Sequence, residues 1–418
     1  MVEFEEHRLD SGLRVVAERD GRAYSTAIGV FVSAGSRFEN DAQSGLSHFL
    51  EHMMFKGTAR MTAAEVNREL DNLGGNANAY TSEEQTVYYA TVLPKFQHRL
   101  VGLLADMMMP TLAEPDFETE RQVILEEIAK YDDQPPFGAF ERSMERRYGP
   151  RGLGRRILGT KESIAAMSAE QLRRYFDWRY RPERMVVAAT GNVDFDALVR
   201  QLETAEFNTR SPGAIADEVT AADDPSIDPP GIDRGDEITI PGLHQNYVVG
   251  IGDSIGSGDP DRFAVRTMAS ILGDEGGSRL FWELIDTGRA EVATVWPQEF
   301  SDGGAFFRYL VCEPDDVEMN SKLINDVIER MVADGVTADE LEQTVAKGVA
   351  GVIMSSERPS NRLFGLGSRY LDHGQYISID DAIERIRELR VEDIDRAAAK
   401  ILNRSTETIR VIADLAPV

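Results

Sequence analysis

The sequence predicts an α+β protein of two homologous domains, each a mainly antiparallel sheet covered by helices, joined by a linker. Three observations carry that expectation. Its 418 residues are too many for one ordinary core, because domains typically run about 100–200 residues. The order strand, helix, strand and then several helices occurs once before residue 208 and again after residue 236. Between those points the composition shifts to Pro, Gly, Asp and Ala, as in Asp228-Pro229-Pro230-Gly231, and no hydrophobic period survives. The expected division is an N-terminal α+β domain over 1–208, a linker over 209–236, and a C-terminal α+β domain of similar fold over 237–418.

The elements follow in order. Leu13, Val15 and Ala17 alternate with Arg14, Val16 and Glu18, and after a turn at Gly21 comes the β-branched run Ser25 to Val32, so a hairpin or two neighbouring strands is expected. Ser44-Gly45-Leu46-Ser47 leads into a helix through Leu50, Met53, Met54 and Phe55, with Gly57 as its C-cap. Helical spacing returns from Met61 to Leu73 and stops at Gly74-Gly75; Asn76 to Leu93 alternates like a strand. Helices are expected at about 95–109 and 116–131, then a buried strand over Met185-Val186-Val187-Ala188-Ala189-Thr190 and one short helix. Past the linker come a strand over Tyr247 to Gly252, a helix from Arg262 to Leu272 and a strand near 305–312. Helices follow near 317–333, 338–356, 359–373 and 391–402.

With 42% hydrophobic and 28% charged residues the chain is an ordinary globular one, able to bury sizeable cores. Its 45 basic and 72 acidic side chains leave a net charge of −27, which repels phosphate backbones and anionic lipid alike. Neither nucleic acid nor membrane is an expected partner; cationic peptides suit the charge better. One cysteine, Cys312, forms no internal disulfide and reads as a small buried hydrophobe, consistent with a reducing compartment. Met1 to His7 shows neither a basic n-region nor an apolar h-region, and no apolar run of about 18 residues occurs, so a cytoplasmic protein is expected.

The chemistry concentrates in His48-Phe49-Leu50-Glu51-His52. On a helix, positions i, i+3 and i+4 share a face, so two imidazoles and a carboxylate point into one space. Zinc takes imidazole nitrogens in a tetrahedral shell that leaves one position open, and a carboxylate beside that position takes a proton from water. The order H-x-x-E-H is the inverzincin motif. Given the six histidines and 72 acids, chance yields such a pentad on the order of 0.015 times in a chain this long. The other histidines, His7, His98, His244 and His373, show no ligand spacing. A catalytic zinc shell needs a third protein ligand. The candidate helix runs from Asp116 to Tyr131, where Glu120 and Glu127 lie two turns apart on one face: one would ligate and the other would hold a ligand. Glu126 projects about 100° away from Glu127. A lone acid on such a helix is ordinarily a solvated face, and only its pairing with the pentad singles it out.

At this point the sequence resembles the M16 metallopeptidases, with its densest matches in Ser44 to Thr58 and Glu120 to Ile128, and its length is similar to the half-sized branch of the mitochondrial processing peptidase subunits. The resemblance implies an N-terminal zinc-binding peptidase domain in which His48, His52 and Glu127 hold one zinc per chain, Glu51 is the general base and Glu120 assists. It also implies that substrate docks as an added strand on the edge formed by Gly75 to Thr81, with Asn78 and Ala79 as backbone contacts; such docking leaves side-chain choice loose. A Gly/Asn turn before a strand is the plainer alternative for that segment.

One departure stands out. Active members carry, after a stretch like Ser278-Arg279-Leu280-Phe281, an arginine and a tyrosine seven residues apart that hold the substrate carbonyl; here Ile285 and Val292 occupy those positions. Arg289 is the nearest substitute in sequence. An oxyanion donor is worth about 100–1,000-fold in turnover, so its absence implies either weak activity or a donor supplied by another chain; the expected assembly is a homodimer, or a heterodimer with a related subunit that supplies the pair. The sequence therefore predicts a zinc metalloendopeptidase cleaving peptides or unfolded segments, preferably basic, in a closed chamber between two domains. The alternatives are a non-hydrolytic structural or assembly subunit of the same family and, more remotely, a non-proteolytic hydrolase using the same zinc chemistry.

Overall fold

The computed structural model describes residues 2–132, 135–209, 236–241, 244–404 and 406–414. The expected linker therefore lies, apart from its two end residues, outside the described residues. The first half runs β1 (Glu3–Arg8), β2 (Arg14–Arg19), β3 (Thr26–Val32), α1 (Leu46–Met53), α2 (Ala63–Asn72), β4 (Asn76–Thr81), β5 (Thr86–Val92), α3 (Gln97–Met107), α4 (Glu114–Asp132), α5 (Pro135–Tyr148), α6 (Lys161–Ala166), α7 (Ala169–Arg179), β6 (Met185–Gly191) and α8 (Phe195–Glu203). The second half runs β7 (Asp236–Pro241), β8 (Asn246–Ser254), α9 (Arg262–Gly273), β9 (Val292–Glu299), β10 (Gly304–Cys312), α10 (Val317–Asp334), α11 (Ala338–Ser356), α12 (Pro359–His373), α13 (Ile379–Arg387), α14 (Val391–Leu402) and β11 (Glu407–Asp414).

The first sheet has the order β1-β2-β6-β3-β5-β4. All its neighbours are antiparallel except β2 and β6. β3 and β6 are buried along their whole lengths, so each needs cover on both faces, and they pair at the sheet's centre. That pairing corrects the expected association of the first two strands: β6 separates β2 from β3, and the hairpin partner of β2 is β1. The alternation from Asn76 to Leu93 resolves into two strands, β4 and β5, turned at Ser82, whose N–H donates to the Gln85 carbonyl (2.8 Å). β4 is the outer edge of the sheet, and no described strand pairs with its far side.

One face of this sheet carries the larger core, built with side chains from α1, α3, α4, α7 and α8. The opposite face is covered by α12, whose Leu363 and Leu366 pack with Val16, Phe31, Val87, Val186 and Ala188. Gly367 belongs to that contact because a Cβ there would lie 2.2 Å from the Phe31 ring. Arg14 donates to the carbonyls of Tyr370 and Leu371 at the helix's C-terminal end.

The second sheet has the order β7-β11-β8-β10-β9, antiparallel except for β11 with β7. Side chains of α9, α10 and α14 build its core on one face. The other receives α5: Phe140 meets Trp296, Phe307 and Tyr309, and the Tyr148 hydroxyl donates to the Gly304 carbonyl (2.8 Å). Arg147 of the same helix pairs with Asp253 and Glu407.

All strands of the first sheet lie within 1–208 and all strands of the second lie at or beyond Asp236. The two compact units are nevertheless not contiguous, because α12 belongs to the first and α5 to the second. No helix among the described residues is long and apolar enough to cross a membrane. Cys312 is free and buried, which pushes its thiol pKa up.

Candidate metal centre

The site starts with how α1 is anchored. Its first residues follow Gly45, whose φ of +92° is the left-handed region, and a Cβ there would lie 2.7 Å from both Ile164 Cδ1 and the Leu158 carbonyl oxygen. The helix's unsatisfied N–H groups find a carboxylate rather than a hydroxyl: Glu39, buried, accepts from Gly45 N (2.8 Å) and Ser47 N (2.6 Å). Burial raises the Glu39 pKa, and the hydrogen bonds from Ser47 and Gly45 oppose it. Leu46, Phe49, Leu50 and Met53 fill the core face of α1. Beyond Met53 the chain tightens into turns, Phe55 N to His52 O and Lys56 N to Met53 O, so the helix ends four residues before the expected cap at Gly57.

Phe49 stacks on Phe117 of α4 with ring centroids 4.5 Å apart and planes 12° from parallel. On α4, Phe117, Glu120, Ile124 and Ile128 are buried at helical spacing. That packing carries Glu120 and Glu127 to the exposed end of the α1 pentad. His52 Nε2 lies 3.5 Å and His48 Nε2 3.8 Å from one oxygen, Oε2, of Glu127. One ligand atom from each of the three residues falls within 4.8 Å of the others, and among the described residues this is the one such group of three or more His, Cys, Asp or Glu. His7, His98, His244 and His373 do not join it.

The donor set fits zinc. Ligand distances of about 2.0–2.1 Å in a tetrahedron put donor atoms roughly 3.4 Å from one another, close to the two separations seen here. Neutral imidazoles are also what the metal needs. Burial first, and His52 second, lower the His48 pKa to about 3, so this ring is neutral near pH 7. His48 Nδ1 is buried and makes no hydrogen bond. For His52 the tautomer is set from outside: Nδ1 lies 3.1 Å from Glu120 Oε2, and Glu120 Oε1 lies 2.6 Å from Lys56 Nζ. A carboxylate held by an ammonium accepts only, so His52 carries its proton on Nδ1 and turns the Nε2 lone pair toward Glu127. Glu120 thus touches a candidate ligand and does not join the donor cluster.

Glu51 shares the face of His48 and His52 but its carboxylate engages β4: Thr81 Oγ1 donates to Glu51 Oε2 at 2.6 Å. Burial raises the Glu51 pKa and the Thr81 hydrogen bond opposes that rise. On the same edge strand Asn78 is exposed and Ala79 is 9% exposed, and the Ala79 N–H donates to the Asn78 side-chain oxygen (2.9 Å). In the second unit Ile285 ends a short helical turn, Phe281–Ile285, and packs against the core, while Val292 begins β9 opposite Val311. Neither side chain donates a hydrogen bond. Arg289 is exposed, with Nη1 3.5 Å from Met319 Sδ. Three residues of the centre went unassigned in the sequence reading: Glu39, Lys56 and Thr81. Lys56 lies inside the matching stretch Ser44 to Thr58, and its spacing of four from His52 was the available signal.

Comparison with known proteins covers most of the chain. Residues 14–161 match the family described as Insulinase (Peptidase family M16), and residues 166–347 match the Peptidase M16 inactive domain. A Mycobacterium leprae protein named as an uncharacterized zinc protease is 35% identical over 403 residues, covering 95% of this chain and 88% of its own. A Bacillus subtilis protein with the same description is 28% identical over 397 residues, covering 94% and 95%. Among solved structures, a protease from Helicobacter pylori superposes with a TM-score of 0.89 at 23% identity, covering 98% of this chain and 99% of its own. At that identity the likeness speaks to the fold.

Proposed function

Because the chain belongs to the M16 peptidase family and is a zinc metallopeptidase, we propose that His48, His52 and Glu127 hold its zinc and that Glu51 is its general base. The convergence of three donors on one point beside Glu51 is the observation that carries this reading. Zinc bound there supplies a Lewis acid that makes water acidic near neutral pH. Glu51, with one oxygen engaged by Thr81, takes the proton on the other. Glu120 orients His52 rather than touching substrate. An extended peptide adds to the free edge of β4 at Asn78 and Ala79 through main-chain hydrogen bonds. The substrates are peptides or unfolded segments, enclosed during cleavage. The net charge of −27 favours basic ones. A single free, buried cysteine supports a cytoplasmic setting.

Ile285 and Val292 support a second element of the proposal: a related subunit contributes the arginine and tyrosine that hold the substrate carbonyl. Should the chain lack turnover alone, the same two residues favour an assembly subunit that keeps the fold and the metal. The test is a quenched basic peptide incubated with zinc-loaded, chelator-stripped and zinc-restored protein. Cleavage that disappears with the metal and returns with it is expected. Cleavage indifferent to the chelator contradicts the proposal.

A further inference from the structure

We infer that Thr81 is a positioning residue for the base, clamping one oxygen of Glu51 from the edge strand proposed to receive the peptide. The inference rests on the peptidase reading above and deepens it. Thr81 Oγ1 and Glu51 Oε2 are 2.6 Å apart, a short hydrogen bond of the kind charge assistance produces. With Glu51 ionised, as a base must be, hydrogen counting leaves no other assignment. The carboxylate has no hydrogen to give, and the Thr86 hydroxyl, 3.4 Å from Thr81 Oγ1, already donates to the Ala34 carbonyl at 2.9 Å. The hydrogen of Thr81 is therefore free for Glu51 alone.

Its placement is stiff for two reasons. A β-branched side chain on a strand has few χ1 choices, and the backbone of Thr81 is held by β5 opposite Thr86. Ala77, Ala79 and Thr81 alternate onto one side of β4, and the bond from Thr81 to Glu51 identifies that side as the one facing α1. The strand offered to a peptide and the group that deprotonates water are thereby tied by one hydroxyl two residues beyond Ala79. The clamp leaves Glu51 Oε1 as the atom that accepts the proton.

The test compares zinc-loaded Thr81→Val and Thr81→Ser with the wild type, measuring zinc content, kcat and KM on a quenched peptide, and Glu51 conformation in crystals of each. Thr81→Val keeps the shape and loses the hydrogen. It is expected to retain zinc, hold KM within about twofold and lose roughly tenfold or more in kcat, with Glu51 displaced or in several rotamers. Thr81→Ser restores the hydroxyl and most of kcat. Wild-type kcat in Thr81→Val overturns the inference, as does an equal loss in both variants accompanied by lost zinc or stability. A wild type that cleaves nothing, alone or with the arginine- and tyrosine-bearing partner, defeats the peptidase reading instead. The crystals then decide the clamp: an unmoved Glu51 in Thr81→Val overturns it, and a displaced one supports it.

Discussion

Replacing Lys56 by Met should weaken zinc binding although Lys56 is placed outside the donor cluster. Its ammonium lies 2.6 Å from Glu120, whose side chain is only 5% exposed and whose other oxygen holds His52 Nδ1 at 3.1 Å. Removing it leaves a buried carboxylate with one partner. A hydrogen bond to a charged group contributes about 1.5–3 kcal/mol, and because Lys56 is itself one-third exposed, solvent screening lowers this to about 1–2 kcal/mol. Without the clamp His52 is free to rotate or to take its other tautomer, and binding zinc must restore the one arrangement. At about 1.4 kcal/mol per decade the expected loss is roughly tenfold in zinc affinity, at the low end of what outer-shell substitutions cost. Competition against a chromophoric chelator measures it, with Lys56→Arg as the variant that keeps a donor. Urea unfolding of the metal-free proteins separates a general loss of stability from a local one. Zinc affinity in Lys56→Met within twofold of the wild type would refute the reasoning.

Two further outcomes follow from the packing and the charges. His48 titrates near 3 in the folded chain and near 6.5 when unfolded, so the unfolded state binds the extra proton first as pH falls. Its contribution is complete above about pH 6.5 and is lost below it, which costs the metal-free protein about 2 kcal/mol between pH 7 and pH 5; urea unfolding at the two pH values should show this loss shrinking in His48→Gln. Leu363→Ala, on a helix more than 150 residues beyond the first sheet in the chain, should destabilise that sheet's unit by about 2–4 kcal/mol, since Leu363 is fully buried on Phe31 and its neighbours. A loss under about 1 kcal/mol in denaturant unfolding would show that α12 is not part of that unit's core.

The contrast between α1 and α12 shows what the sequence could convey. The pentad is a local pattern: spacing of three and four on one helix aligns His48, Glu51 and His52 whatever else the chain does. Glu120 and Glu127 were legible as a pair for the same reason, and the two sheets followed from runs of β-branched residues such as Met185 to Thr190. Choice of partner was not local. The 359–373 helix was readable as a helix, but nothing in its amphipathic face names the sheet that it covers, and α5 went unread altogether. β6 reaches its place between β2 and β3 from more than 150 residues away. Short or edge elements, β1, β7, β9 and α6, carry too little periodicity to stand out; β11, inside the second sheet, was missed despite its alternation, and α7 despite its Ser168 cap. Thr81 and Glu39 escaped because each acts on α1 through tertiary packing, where a hydroxyl or carboxylate in a loop or strand gives no spacing to count.

The most direct measurement takes wild-type protein and Glu51→Gln from parallel preparations and determines zinc content and peptide turnover on the same samples, with the arginine- and tyrosine-bearing partner present if turnover requires it. The account predicts equal zinc in both proteins and turnover in the wild type alone, because Glu51 moves a proton and binds no metal. Undiminished cleavage by Glu51→Gln would contradict it.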